Sequence, residues 1–140
     1  MRPFLLPAAL GGSALLSACG FVYDERLAGP YRLVATDVRE QMMVCVDIGG
    51  GDCVGDGLPG PTIFAAGADA RYLVMARHPS TDIGRPDRSV TEYYYVVRGP
   101  DEPPRDLRAH VVGPLSRAEF EQARGTLRLP PFTRIFDDLK

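Results

Sequence analysis

The chain has 140 residues, a length typical of one domain, and its 16 Lys+Arg and 18 Asp+Glu side chains give a net charge of −2. Because a slightly acidic chain is a poor partner for a polyphosphate, we expect no nucleic acid to bind. The 45% of hydrophobic and 24% of charged residues are typical of a folded globular protein and exclude a disordered or fibrous one.

Residues 1–18 have the pattern of a secretory signal peptide. Arg2 precedes an apolar stretch from Phe4 to Leu16, and small residues follow. The stretch is shorter than the ~20 residues that cross a bilayer as a helix. We therefore expect residues 1–18 to be removed and the mature chain to have no membrane span.

The next four-residue segment, Leu16-Ser17-Ala18-Cys19, resembles the lipobox of bacterial lipoproteins. In that motif the Cys thiol receives a diacylglycerol before the leader is cut off. The resemblance implies that Cys19 is the acylated first residue of the mature chain and that the lipid bilayer is a partner. Gly20, by the sorting rule of Gram-negative bacteria, implies the periplasmic face of the outer membrane. An ordinary secretory leader or a cytosolic apolar N-terminus is the alternative.

We expect residues 19–29 to form a lipidated tether and residues 30–140 to fold as a single domain. Segments rich in β-branched and apolar residues, bounded by Gly and Pro, predict strands in this domain. The predicted strands are 31–38, 42–48, 62–66, 71–77, 90–98 and 108–112. The strand at 90–98 is apolar on both sides, because Tyr93 and Tyr95 alternate with Tyr94 and Val96, and we expect it to be central.

Three cysteines are an odd number for an exported protein, and lipidation of Cys19 leaves Cys45 and Cys53 as a pair. A hairpin turning at Gly49-Gly50-Gly51 would place the pair opposite each other, within the distance that a disulfide tolerates. Such a bond would stabilise the fold by about 2.5 kcal/mol. Alternatively, the two are free thiols or half of a metal site, although no other Cys completes a thiolate tetrad.

One helix is predicted, beginning after Ser116. Ser116 and Glu119 match a capping box, and Leu115 and Phe120 are placed as a hydrophobic staple. Phe120, Ala123 and Leu127 then mark a buried face. The predicted fold class is therefore α+β, an antiparallel meander of five or six strands with one C-terminal helix packed on it.

Several short blocks of the sequence resemble the recurring blocks of a family of small bacterial lipoproteins whose domain has no assigned function. The blocks are Asp69-Ala70-Arg71-Tyr72, Ala76-Arg77-His78-Pro79, Tyr93-Tyr94-Tyr95, Gly113-Pro114-Leu115-Ser116 and Glu119-Phe120. The resemblance implies a lipoprotein with a single domain, and it carries over no catalytic residue.

Candidate chemistry is sparse. Asp47, Asp52 and Asp56 lie among glycines and could bind Ca²⁺, but their spacing is not that of an EF-hand, and Asp is common in turns for its own hydrogen bonds. His78 and His110 are the only histidines and fit no zincin pattern, and no serine lies in a nucleophile elbow. We therefore predict no metal, no cofactor and no catalytic residue.

Two long loops are rich in mixed charge and would form a binding rim if they came together. Their arginines are Arg85, Arg88 and Arg105. The five tyrosines at positions 31, 72 and 93–95 could line a ligand-binding face, although packing is their commoner role.

The functional hypothesis is a membrane-anchored envelope lipoprotein that acts as a non-catalytic binding or interaction module for an envelope protein. One alternative is an inhibitor of an envelope hydrolase, such as lysozyme or a protease, whose cleft the loop 80–89 would enter. A second alternative is an enzyme that uses His78 or His110.

Overall fold

The structure is a computed structural model that describes residues 20–82 and 84–140. The leader and Cys19 lie outside the described residues, so the signal peptide and the lipidation remain predictions. No helix in the described part of the chain is long and apolar enough to cross a membrane.

The fold is α+β, with antiparallel strands and a single C-terminal helix, as the sequence predicts. The described residues form eleven strands, more than the five or six expected. The strands are β1 (Tyr23–Ala28), β2 (Tyr31–Ala35), β3 (Met43–Gly49), β4 (Asp52–Val54), β5 (Ile63–Ala68), β6 (Tyr72–Arg77), β7 (Ser80–Asp82), β8 (Arg85–Pro86), β9 (Glu92–Val97), β10 (Val111–Leu115) and β11 (Arg134–Ile135), and the helix is α1 (Arg117–Leu127).

The strands form two main sheets and one small hairpin. The first sheet is a four-stranded meander in the order β1-β2-β3-β4, and the second has five strands in the order β10-β9-β6-β5-β11. β7 and β8 pair only with each other. Because alternate side chains of a strand point to opposite faces, each sheet has two distinct faces, and one face of each packs against the other sheet.

The five-stranded sheet is the middle layer of the molecule. Its first face and the four-stranded sheet share one core, in which Leu33 and Val44 lie with Leu73, Met75 and Val96. Its second face packs against α1 and the segment that follows the helix. The buried residues of this second core are Tyr72, Val74, Phe120 and Leu129. Both faces of the five-stranded sheet are thus covered.

The position of β9 confirms the prediction that this strand is covered on both faces. Tyr94 and Val96 belong to the first core, while Tyr95 packs on the second and Tyr93 on both. β9 lies inside the sheet, between β10 and β6.

The helix begins and packs as predicted. The Ser116 hydroxyl accepts a bond from the Glu119 backbone N–H at 3.1 Å, and the Glu119 carboxylate accepts one from the Ser116 backbone N–H at 3.0 Å. These bonds satisfy donors that a helix N-terminus leaves without partners, and they lower the pKa of Glu119. Phe120 is fully buried, and Ala123 and Leu127 pack beside it.

Several boundaries differ from the prediction, and the strand predicted at 31–38 ends at Ala35. Residues 23–28 belong to β1 and not to a tether, because their backbone pairs with β2 along most of its length. The strand predicted at 108–112 begins later, at Val111, since Leu107–His110 form a 3₁₀ turn that buries Leu107 in the first core.

Candidate binding grooves

A disulfide closes the hairpin of β3 and β4. Cys45 and Cys53 are bonded, as predicted, with their Cα atoms 5.6 Å apart. They are not directly opposite, since Cys53 faces Asp47 in the register and is a diagonal neighbour of Cys45. The two-residue turn between the strands is Gly50-Gly51, with φ values of +65° and +84° that glycine adopts without strain.

A buried arginine lies on the outer face of the four-stranded sheet. Arg32, on β2, is only 9% exposed and stands beside Cys45 in the register. Its Nε donates to Asp24 Oδ1 on β1 at 3.0 Å, and a second nitrogen donates to the other oxygen of Asp24. Asp47 Oδ2, on β3, lies 3.8 Å from Nη1. This two-point contact with Asp24 raises the pKa of Arg32, so the guanidinium stays charged.

An aromatic ring covers this arginine. The guanidinium carbon of Arg32 lies 5.8 Å from the centre of the Phe21 ring, within the range of a cation–π contact. Phe21 precedes β1, so the ring fixes the chain to the sheet before the first strand begins.

A groove of about 580 Å³ opens at this point, and we name it the arginine groove. Gly20, Phe21 and Arg32 line it together with the turn of the disulfide-linked hairpin. Its other polar lining residues are Asp24, Thr36, Asp37 and Asp52. The groove therefore combines one paired guanidinium with three carboxylates and a threonine hydroxyl.

A second groove, of about 480 Å³, lies between the same hairpin and the loop that follows β9. We name it the proline groove. Ile48 and Val54 line it from the hairpin, with 60% and 37% of their surfaces exposed, and Pro103 and Pro104 line it from the loop. Charged residues surround these apolar side chains, and they are Asp56, Arg105, Asp106 and Arg108. An apolar centre with a polar rim is the usual composition of a protein-binding surface.

The three aspartates that were weighed as calcium ligands, Asp47, Asp52 and Asp56, are not gathered into a site. Within residues 20–82 and 84–140, no three His, Cys, Asp or Glu side chains are placed to hold a metal ion. Asp47 Oδ1 instead accepts a bond from the Gly49 backbone N–H at 2.8 Å, and Asp47 Oδ2 faces Arg32. Its carboxylate thus shapes the turn and balances the arginine.

Both histidines bond to backbone carbonyl groups. His78 is buried and stacked on Phe64, and its Nδ1 lies 2.8 Å from the Val90 carbonyl oxygen. His110 Nδ1 lies 3.2 Å from the Val97 carbonyl oxygen. Each ring is therefore held by backbone at or near one end of β9.

Arg77, Glu92 and Tyr94 form a cluster of three titratable side chains. Glu92 Oε2 accepts bonds from Arg77 Nε and from the Tyr94 hydroxyl, both at 2.8 Å. Burial, followed by the bond to Glu92, raises the pKa of Tyr94 to about 12. Arg77 lies on β6, whereas Glu92 and Tyr94 lie on β9, so the bond from Arg77 to Glu92 joins the two strands.

The two charged loops do not form a common rim. One precedes β9 and the other follows it, so they lie at opposite ends of that strand. Arg88 donates to the carbonyl oxygens of Asp138 and Lys140, whereas Arg105 lines the proline groove. The tyrosines serve packing, as their commoner role predicts, with Tyr31, Tyr72 and Tyr94 buried.

Sequence reasoning missed the arginine groove, although one signal for it was visible. Arg32 stands in the apolar strand Tyr31–Ala35, whose residues are all buried, and a buried charge needs a partner. Asp24 and Phe21 could not be identified as its neighbours without the pairing of β1 and β2. Comparison of the chain with protein-family models, with curated proteins and with solved structures gives no significant match.

Proposed function

We propose that the protein is an envelope lipoprotein, related to the small bacterial lipoproteins that its sequence blocks resemble, and held through acylated Cys19 on the periplasmic face of the outer membrane. Its folded part acts as a non-catalytic module that binds an envelope protein. Confinement to a membrane raises the effective concentration of a weak binder near its target, which is the physical advantage of this arrangement.

The observation that carries the proposal is the pairing of the cysteines. The Cys45–Cys53 disulfide accounts for two of the three cysteines, and the third is the one in the lipobox. Disulfides persist in oxidising compartments such as the periplasm and are rare in the cytosol. The bond and the leader thus independently favour export.

Mass spectrometry of the native protein tests the anchor. The expected mature N-terminus is Cys19 carrying a diacylglycerol, and a Cys19→Ser variant should lose the lipid and accumulate with its leader intact. A Cys45→Ser variant is the matched control, because it removes a cysteine without touching the lipobox. An unmodified Cys19 thiol in the native protein would refute the anchor.

The proline groove is the surface that we propose for recognition. Its exposed Ile48 and Val54 can lose water on binding, and the surrounding charges can select the partner and its orientation. The disulfide fixes the hairpin that carries both residues, which lowers the entropy that binding would cost.

Cross-linking in intact cells tests this surface. A photoreactive residue at Ile48 should give one discrete protein adduct, whereas the same residue at Gln122, on the outer side of α1, should give none. A Val54→Arg substitution should remove the adduct from position 48. Identical patterns from positions 48 and 122 would argue against recognition at the groove.

One feature favours the alternative of a hydrolase inhibitor. The loop that was expected to enter a cleft contains the hairpin β7–β8, which pairs with no other strand in the described part of the chain. Thr81, Asp82 and Arg85 are exposed on it. If inhibition is the function, the purified protein should slow lysozyme or a protease, and replacing Thr81 and Arg85 with alanine should abolish the effect.

A further inference from the structure

The attachment of the chain to the four-stranded sheet begins close to Cys19. The Val22 backbone N–H donates to the Thr36 carbonyl oxygen at 3.2 Å, and β1 starts at the next residue. One residue earlier, the Phe21 ring packs on Arg32. Gly20 lines the arginine groove. The expected tether is thus reduced to about one residue.

This short connection limits the distance between the domain and the anchor. Two residues of extended chain span at most about 7 Å, so an anchor at position 19 would hold Phe21 within that distance of the acylated residue. The headgroup layer on each side of a bilayer is roughly 5–8 Å thick. An acyl-bearing residue at the base of this layer leaves no room for the sheet to stand clear of the headgroups.

We propose that the outer face of the four-stranded sheet, at the arginine groove, rests on the headgroup layer of the bilayer. This inference depends on the proposed lipidation of Cys19. The hairpin turn with Asp52 and the N-terminal residues Gly20 to Val22 form the contacting surface, and Val22 offers an apolar side chain that is 53% exposed.

The order of the layers then places α1 on the side of the molecule that faces away from the bilayer. The helix lies on the far face of the five-stranded sheet, and packed layers are about 10 Å apart. The outer side of the helix, including Gln122, therefore points away from the bilayer and into the aqueous space.

Electrostatic attraction does not hold this face on the bilayer. Asp24, Asp37 and Asp52 line the groove, and Arg32 is already paired with Asp24. The carboxylates outnumber the one guanidinium, so this surface would repel anionic headgroups. The acyl chains must therefore hold the domain in place. A chain without the lipid should not bind anionic vesicles.

The absence of tryptophan from the sequence provides a clean test. Single tryptophans are introduced by Asp52→Trp at the groove and, as the matched control, by Gln122→Trp on the helix. Each lipidated protein is reconstituted into phosphatidylcholine vesicles that carry a nitroxide on some of the headgroups. Emission from position 52 should be largely quenched, and emission from position 122 should be unchanged.

Flotation of the same vesicles separates the two proposals. If the protein floats with the vesicles and both positions are quenched equally, the orientation is wrong and the anchor stands. If the protein does not float, the anchor and the orientation are both refuted. A Val22→Trp variant, whose exposed side chain lies beside the groove, repeats the test should Asp52→Trp fail to fold, and it too should be quenched.

Discussion

The two coverings of the five-stranded sheet are held by different forces. On one side, the four-stranded sheet carries a disulfide in its hairpin. The ion pair Arg134–Glu25 joins this sheet to the C-terminal segment, and the pair Arg39–Asp138 does the same from the turn between β2 and β3. On the other side, α1 is held by an aromatic stack, in which the Phe120 ring lies 4.9 Å from Tyr93 and 5.7 Å from Phe132. The first covering should thus respond to reductant and acid, and the second to loss of apolar volume.

The largest expected effect is on the helix side. Phe120 is fully buried, and no other residue of α1 is buried. Phe120→Ala should therefore lower the free energy of unfolding by about 3–5 kcal/mol. Urea denaturation followed by circular dichroism measures this loss. Leu127→Ala is the control, and because that side chain is only half-buried its cost should be clearly smaller. Equal costs would show that Phe120 is not the anchor of the helix.

The next effect is on the opposite side. Replacing Cys45 and Cys53 with serine should lower the free energy of unfolding by about 2.5 kcal/mol. The main reason is that the unfolded chain gains conformational entropy when the cross-link is absent. Hydrogen exchange should quicken in β4 and at the Gly50-Gly51 turn, while α1 keeps its protection. Dithiothreitol should reproduce the effect in the native protein and leave the double variant unchanged. Faster exchange in α1 alone would contradict the assignment of this bond to the outer covering.

Acid should also loosen the four-stranded side. The bond from Arg134, followed by that from the Tyr23 hydroxyl, lowers the pKa of Glu25 below its ordinary value of 4.5. Below this value the unfolded chain binds a proton that the folded chain does not, so stability falls as the pH drops through the lowered pKa. Glu25→Gln should therefore lower the free energy of unfolding by up to about 1 kcal/mol at pH 7 and by less at pH 3. A cost that is equal at both pH values would exclude the ion pair as its source.

Local sequence patterns decide which of these elements could be predicted. Strands near 42–48, 62–66, 71–77 and 90–98 were visible because each is long, apolar and bounded by turn residues. The capping box of α1 is likewise a local pattern and was found. The polar β1 and the two-residue β11 carry no such pattern, since pairing with β2 and β5 creates them.

The grooves were beyond prediction for a related reason. Phe21, Arg32 and Asp52 line one groove but come from three segments that only the sheet brings together. The disulfide was predictable because its two cysteines belong to one hairpin. Its diagonal geometry was not, because a register shift between Asp47 and Gly49 moves Cys53 opposite Asp47.

The smallest expected gain in stability comes from a glycine on α1, and a glycine on the five-stranded sheet provides the comparison. A Cβ at Gly125, on the exposed side of α1, would have no atom within 4 Å, so Gly125→Ala should raise the free energy of unfolding by roughly 0.5–1 kcal/mol. At Gly67, on β5, the same Cβ would lie 2.0 Å from the Pro131 carbonyl oxygen. Gly67→Ala should therefore destabilise the protein, because the backbone after the helix would have to move away from the sheet. Thermal denaturation of the two variants should give shifts of opposite sign, and a gain in both would mean that the segment around Pro131 is not packed against β5.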